Sequence, residues 1–171
     1  SVIEDQLVRA DLIIISGERH DDSFDLITRT LEKMGEIKTV EISIESSGRH
    51  NFGTIGPDKT PVVTLPGDPI AAYISFELLI RPMIRTMLGT ATIHRPSVKA
   101  KLEKALTSSG GYRSYVRAIL SEDGKSVAPL SSQDEQATLS DANCFIAVPE
   151  GETSLSAGAQ VNVVVLERRY L

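Results

Sequence analysis

Residues 65–89 read LPGDPIAAYISFELLIRPMIRTMLG, and the reading of this stretch decides the fold. Asp68 is placed to cap a helix, and Pro69 to occupy its first turn, where a missing backbone N–H is tolerated. Apolar residues then recur at helical spacing from Ile70 to Leu88, and Gly89 supplies a stop. Glu77, Arg81 and Arg85 fall at i, i+4 and i+8, a charged stripe on an otherwise apolar helix. Pro82 lies inside it and predicts a kink, because it removes one backbone donor. Pro61–Leu65 (PVVTL) just upstream is a core-like strand. The whole is therefore strand, tight loop and helix.

Working toward the N-terminus, Ala10–Ser16 (ADLIIIS) is a continuous apolar run, as in a strand buried on both faces of a parallel sheet. Phe24, Ile27, Leu31 and Met34 mark one face of a helix, with Ser23 as its N-cap and Gly35 as its C′ residue. Val40, Ile42 and Ile44 alternate with polar residues and predict a second strand. Val2–Arg9 is helix-like. A chain opening at Ser1 inside such an element is expected to be a piece of something longer. Residues 1–89 thus read as an α/β domain with a mostly parallel sheet.

Toward the C-terminus the pattern changes. Thr90–Pro96 reads as a linker. Val98–Leu106, Tyr112–Leu120, Cys144–Val148 and Val161–Leu166 read as strands, with a hairpin turn at Glu122–Lys125. Residues 90–171 are expected to form a small all-β domain.

Composition narrows the function. The 171 residues are 41% apolar and 24% charged, which excludes a disordered chain. No apolar run approaches the roughly 18 residues that span a bilayer, so no membrane role is expected. The single cysteine, Cys144, excludes an internal disulfide and reads as a core residue. Residues 1–89 hold 9 Lys+Arg against 14 Asp+Glu, a net of −5, and residues 90–171 hold 9 of each. Neither half is basic enough to neutralise a phosphate backbone, so no nucleic-acid partner is expected. No basic segment precedes an apolar one, and the expected location is cytoplasmic.

In open α/β sheets ligands bind at the carboxyl ends of parallel strands. Two such ends are visible, Ser16–Asp25 and Leu65–Pro69. The second can offer backbone N–H groups to an anion, or can simply be a capped turn. His20, Asp21, Asp22 and Asp25 could ligate a metal, although carboxylates at a helix start more often complement its dipole. His50 and His94 lie near turns and are expected to be exposed. Arg113, Arg117, Arg168 and Arg169 read as scattered surface charges.

Leu65–Gly89 resembles the L-P-G-N-P-x-x-A-x-x-x-F-x-x-x-x-x-P segment of the molybdenum insertases, the molybdopterin molybdenumtransferases of the MoeA/gephyrin family. Pro66, Gly67, Pro69, Ala72, Phe76 and Pro82 fall in place, with Asp68 where the family has Asn. Ala10–Gly35 resembles the family's strand–loop–helix A-D-L-V-I-x-x-G-G-V-S-V-G-x-x-D, and Gly111–Leu120 with Asn143–Val165 resembles its C-terminal β-barrel domain. The resemblance implies a molybdopterin-binding-like α/β domain, here partial, followed by that barrel. It implies insertion of molybdate into adenylylated molybdopterin with Mg²⁺, in a homodimer of the full-length protein. Asp25 falls on the family's acidic residue and is implied as catalytic residue and Mg²⁺ ligand. Ser16, Gly17, Pro66, Gly67, Asp68 and Pro69 are implied to line the substrate pocket. The family's T-G-D-E motif and first two domains have no counterpart here, so this chain alone is expected to lack a complete active site.

Two loops depart from the family. G-G-V-S-V-G is replaced by Gly17–Asp22, whose Glu18, Asp21 and Asp22 oppose a phosphate while Arg19 and His20 partly offset them. K-P-G-K-P is replaced by Glu45–Arg49, with an acid at its first lysine. These departures leave a second expectation beside the enzyme: a diverged, non-catalytic binding or scaffold module.

Overall fold

The computed structural model describes residues 2–17, 21–130 and 140–166. The chain divides into two units, Ser1–Ile42 with Ser46–Ser75, and Ser43–Glu45 with Phe76–Leu171.

The first unit is built on one sheet, in the order β1 (Ile13–Ser16), β4 (Thr60–Leu65), β3 (Gly48–Ile55), β2 (Gly35–Ile42). Only β1 and β4 run parallel; β4–β3 and β3–β2 are antiparallel. The expected mostly parallel sheet is thus a mixed one. The difference comes from β3, whose sequence GRHNFGTI has two glycines and no clean alternation to announce a strand. Gly53 and Gly35 permit the close β2–β3 pairing. A Cβ at Gly35 would stand 2.1 Å from the Thr54 carbonyl oxygen, and one at Gly53 would stand 2.0 Å from that of Glu36.

Two helices cover this sheet. α1 (Val2–Leu7) brings Ile3 and Leu7, and α2 (Asp21–Glu32) brings Ile27 and Leu31, onto a core of Ile13, Ile55 and Val62. α2 starts two residues before the expected cap, which places Ser23 inside its first turn. β2 starts at Gly35, with only two residues between it and α2, and not at Val40.

The helical run after β4 comprises α3 (Pro69–Ser75), a π-helical turn (Phe76–Ile80) and α4 (Arg81–Met87). An α-helix would ask the N–H of residue 82 to bond four residues back, and Pro82 has none. The irregularity that Pro82 predicts takes the form of the π turn immediately before it. Gly89, at φ +65°, ends the run as expected.

In the second unit, β5 (Ser97–Leu102), β7 (Ser114–Leu120), β8 (Ser126–Pro129), β9 (Cys144–Val148) and β11 (Gln160–Val165) close into a barrel in the order β11-β5-β8-β7-β9. β6 (Leu106–Thr107) pairs with β10 (Ser154–Leu155). The β7–β8 hairpin turns at Gly124, φ +69°, where the sequence predicts it. Alternate residues point inward, among them Ala118, Leu120, Val127, Cys144, Ile146, Val161 and Val163. Cys144 is fully buried, as expected, and burial pushes its thiol up to about 12, so it is a core residue.

The charged stripe of residues 77–85 has a specific purpose in this unit. Glu77 is buried and accepts two hydrogen bonds from Arg95, from Nε at 2.8 Å and Nη2 at 3.0 Å. Arg95 also donates to the Leu166 carbonyl at 2.7 Å, and Arg81 to that of Ile93 at 3.0 Å. This fork-on-fork pair joins the helical run, the 90–96 segment and the end of β11.

Candidate functional site

The carboxyl ends of β1 and β4 lie side by side because the two strands are parallel, with Ser16 opposite Leu65. The Gly17 N–H donates to the Leu65 carbonyl at 3.1 Å, so the loops after both strands leave from one edge of the sheet. Parallel pairing of this kind is what makes such an edge a binding site in α/β proteins. Ser16 is exposed, Gly17, Pro66, Gly67 and Asp68 are half-buried, and Pro69 is exposed. The structure therefore brings together six of the sequence-predicted site residues on two adjacent loops.

Asp68 acts as the cap that the sequence predicts. Its Oδ1 accepts from the Ile70 N–H at 3.0 Å and the Ala71 N–H at 2.9 Å. The carboxylate thus engages two helix-start donors that a bound anion would otherwise meet.

Asp25 is placed differently. It is exposed on α2, and its carboxylate meets the Arg49 guanidinium at 3.3 Å. Arg49 also lies 4.5 Å over the Phe24 ring. Among the described residues, Asp25 is engaged by Arg49 and not by either loop, and no group of three or more His, Cys, Asp or Glu side chains forms a metal cage. An exposed carboxylate is still a donor that suits Mg²⁺, which is commonly held by one or two carboxylates plus substrate phosphates. Residues 18–20 and the side chain of Asp21 lie outside the described residues, as do Arg168 and Arg169; the expectations for Glu18, Arg19 and His20 fall there too.

One cluster was not expected. His50 is fully buried, contrary to its predicted exposure, because β3 runs in the middle of the sheet and not at a turn. Its Nδ1 lies 2.8 Å from the Thr64 carbonyl and its Nε2 lies 2.9 Å from Ser47 Oγ, which is 2.8 Å from Ser75 Oγ. Burial pushes the imidazole below its ordinary value, against weaker opposition from backbone hydrogen bonds to Thr64 and Ser47. Next to it, buried Asn51 takes Thr64 Oγ1 through its backbone N–H, donates to Thr28 Oγ1 and accepts from Thr39 Oγ1. The only sequence signal for the cluster is the Ser46-Ser47-Gly48 turn, which marks a new strand just beyond it. Ser46 and Gly48 both adopt positive φ, 63° and 61°. His94, by contrast, is exposed as expected.

Residues 99–166 match the family model of the MoeA C-terminal region, domain IV. Over 174 residues the chain is 32% identical to molybdopterin molybdenumtransferase 1 of Mycobacterium tuberculosis, covering 96% of this chain and 41% of that protein. It is 26% identical to the molybdopterin molybdenumtransferase of Bacillus subtilis, covering 97% of this chain and 39% of that one. Among solved structures, the molybdopterin biosynthesis MoeA protein from Pyrococcus horikosii is similar with a TM-score of 0.79 and 28% identity, over 97% of this chain and 40% of that chain. This chain thus spans about two-fifths of the length of the curated relatives, which it covers to 41% and 39%. The sequence similarity extends along both units, and the likenesses together support a counterpart of the C-terminal region of the longer MoeA proteins.

Proposed function

We propose that this chain forms part of a molybdopterin molybdenumtransferase, which inserts molybdate into adenylylated molybdopterin during molybdenum cofactor biosynthesis. The observation that carries this reading is the pairing of the β1 and β4 ends, which sets Ser16-Gly17 beside Pro66–Pro69. Residues 1–89 are read as the ligand-facing domain and residues 90–171 as the barrel domain. The two loops line the oxyanion site, with Pro66 and Pro69 fixing the backbone and Gly67 leaving it uncovered. Mg²⁺, held by Asp25 together with the substrate's phosphates, would neutralise charge between two anions. Arg49, whose guanidinium meets the Asp25 carboxylate at 3.3 Å, places a positive charge beside it. The chain's own contribution is positioning and electrostatics, with no covalent step assigned to a side chain.

The full-length protein is read as a cytoplasmic homodimer without nucleic-acid or membrane partners. No helix among the described residues is long and apolar enough to cross a membrane. A second reading, a diverged binding module, is favoured by one observation: Glu45 stands where the family has a lysine. The test is molybdate insertion by protein that includes this chain. Asp25→Ala is expected to abolish Mg²⁺-dependent turnover. Unchanged turnover would overturn the role of Asp25, and absence of turnover in the unmodified protein would favour the module.

A further inference from the structure

The β3–β4 ladder is regular from Ile55↔Thr60 to Phe52↔Val63 and then changes character. At the next position the Asn51 N–H bonds to the Thr64 hydroxyl at 2.8 Å, and the Thr64 carbonyl is taken by the His50 ring at 2.8 Å. Side chains here replace ladder bonds at the last residues before the Leu65–Pro69 loop. The direction of every bond follows from what each atom can do. A carbonyl only accepts, so Nδ1 carries the proton. Nε2 of the neutral ring then accepts from the Ser47 hydroxyl, whose proton is thereby used. Ser75 must therefore donate to Ser47.

The chain Ser75–Ser47–His50–Thr64 thus reaches both sides of one loop. Thr64 is the strand residue that enters it, and Ser75 closes α3, the helix that leaves it. All four residues are buried, so none of these bonds competes with water. We propose that His50, as its Nδ1–H tautomer, is the positioning residue of the Leu65–Pro69 loop, fixing its entry through Thr64 and its exit through Ser47 and Ser75. Its functional meaning rests on the reading of that loop as the oxyanion site.

The test is residue-resolved amide hydrogen exchange on the 171-residue chain. The reporters are Gly17, Ile70, Ala71 and Ala72, whose N–H groups bond to Leu65 or Asp68. The controls are Met34 and Gly56, bonded elsewhere in the same unit. His50→Phe keeps the ring and removes both nitrogens; it is expected to speed exchange at the reporters by about tenfold while the controls stay within about twofold. His50→Asn, whose amide nitrogen can stand in for Nδ1, is expected to restore most of the protection at Gly17. Equal acceleration of reporters and controls would make His50 a stability residue only and overturn the proposal.

Should His50→Phe fail to fold, Ser47→Ala decides. Faster exchange at Ile70–Ala72 than at Gly17 supports the chain of bonds, and no change overturns it. Nitrogen shifts of the His50 ring in the unmodified chain must show Nδ1 protonated, and an Nε2–H ring would equally overturn it. Sodium molybdate added to the unmodified chain tests the loop reading separately. Unmoved reporters would sink that reading while leaving the positioning role standing on the exchange data.

Discussion

Among the described residues of the sheet unit six polar side chains are buried: Ser47, His50, Asn51, Thr60, Thr64 and Ser75. Five of them gather where β3 and β4 part and the Leu65–Pro69 loop begins. The barrel core is almost wholly aliphatic, with Ser114 and Asn143 buried at strand ends. Asn143 there closes a hydrogen-bonded pair with the Leu120 backbone. Each buried polar group must be satisfied or it costs stability, so its location is informative. In the barrel, polarity terminates strands. In the sheet unit it shapes the approach to a loop. The contrast separates a part built for packing from a part built for placing a backbone.

The contrast can be broken most severely at the charged exception in the second unit. Glu77→Ala leaves Arg95 partly buried without its carboxylate and should cost about 3–5 kcal/mol in denaturant unfolding. A loss below about 1 kcal/mol would show that the pair behaves as a surface ion pair. In the aliphatic core, Ile146→Ala should cost about 3 kcal/mol through lost contacts and a cavity. Its effect should stay in the barrel and leave amide exchange at Gly17 unchanged. Asp68→Ala removes the cap of α3 and should cost about 1 kcal/mol, with faster exchange at Ile70 and Ala71.

The smallest effect is on pH dependence. His50 has its ionisation lowered by burial, so on acidification the unfolded chain takes up its proton first. Its contribution to stability is therefore complete above the ordinary imidazole value of about 6.5, falls as pH drops below it, and levels off below the folded value. Urea unfolding between pH 7.5 and 5.5 should show this slope, and His50→Phe should flatten it. An unchanged slope in the variant would assign the effect to another group.

Much of the architecture was legible because it rests on local rules. Asp68 and Pro69 start a helix wherever they meet an apolar run, and Gly89 ends one. Ile13–Ser16 announces a strand by composition, and the barrel strands do so by alternation. The loops at the two strand ends followed from these assignments. β3 was not legible, because Gly48, His50, Asn51 and Gly53 carry no strand periodicity and are specified by their neighbours in the sheet. Missing β3 made the sheet look mostly parallel and made His50 look exposed. Arg81, four residues on, was a legible partner of Glu77, but its hydrogen-bonding partner Arg95 was hidden, lying 18 residues away in what reads as a linker. Long-range side-chain pairing leaves no trace in local spacing.

The central claim is that the β1 and β4 ends form the ligand edge of this chain. An anaerobic titration with molybdopterin, with and without Mg²⁺, followed at individual backbone amides, tests it most directly. The account predicts saturable shifts at Gly17 and at Gly67–Ala72, reached at lower ligand concentration when Mg²⁺ is present. A folded chain whose amides at these positions do not move, or whose shifts are confined to the barrel strands, would contradict it.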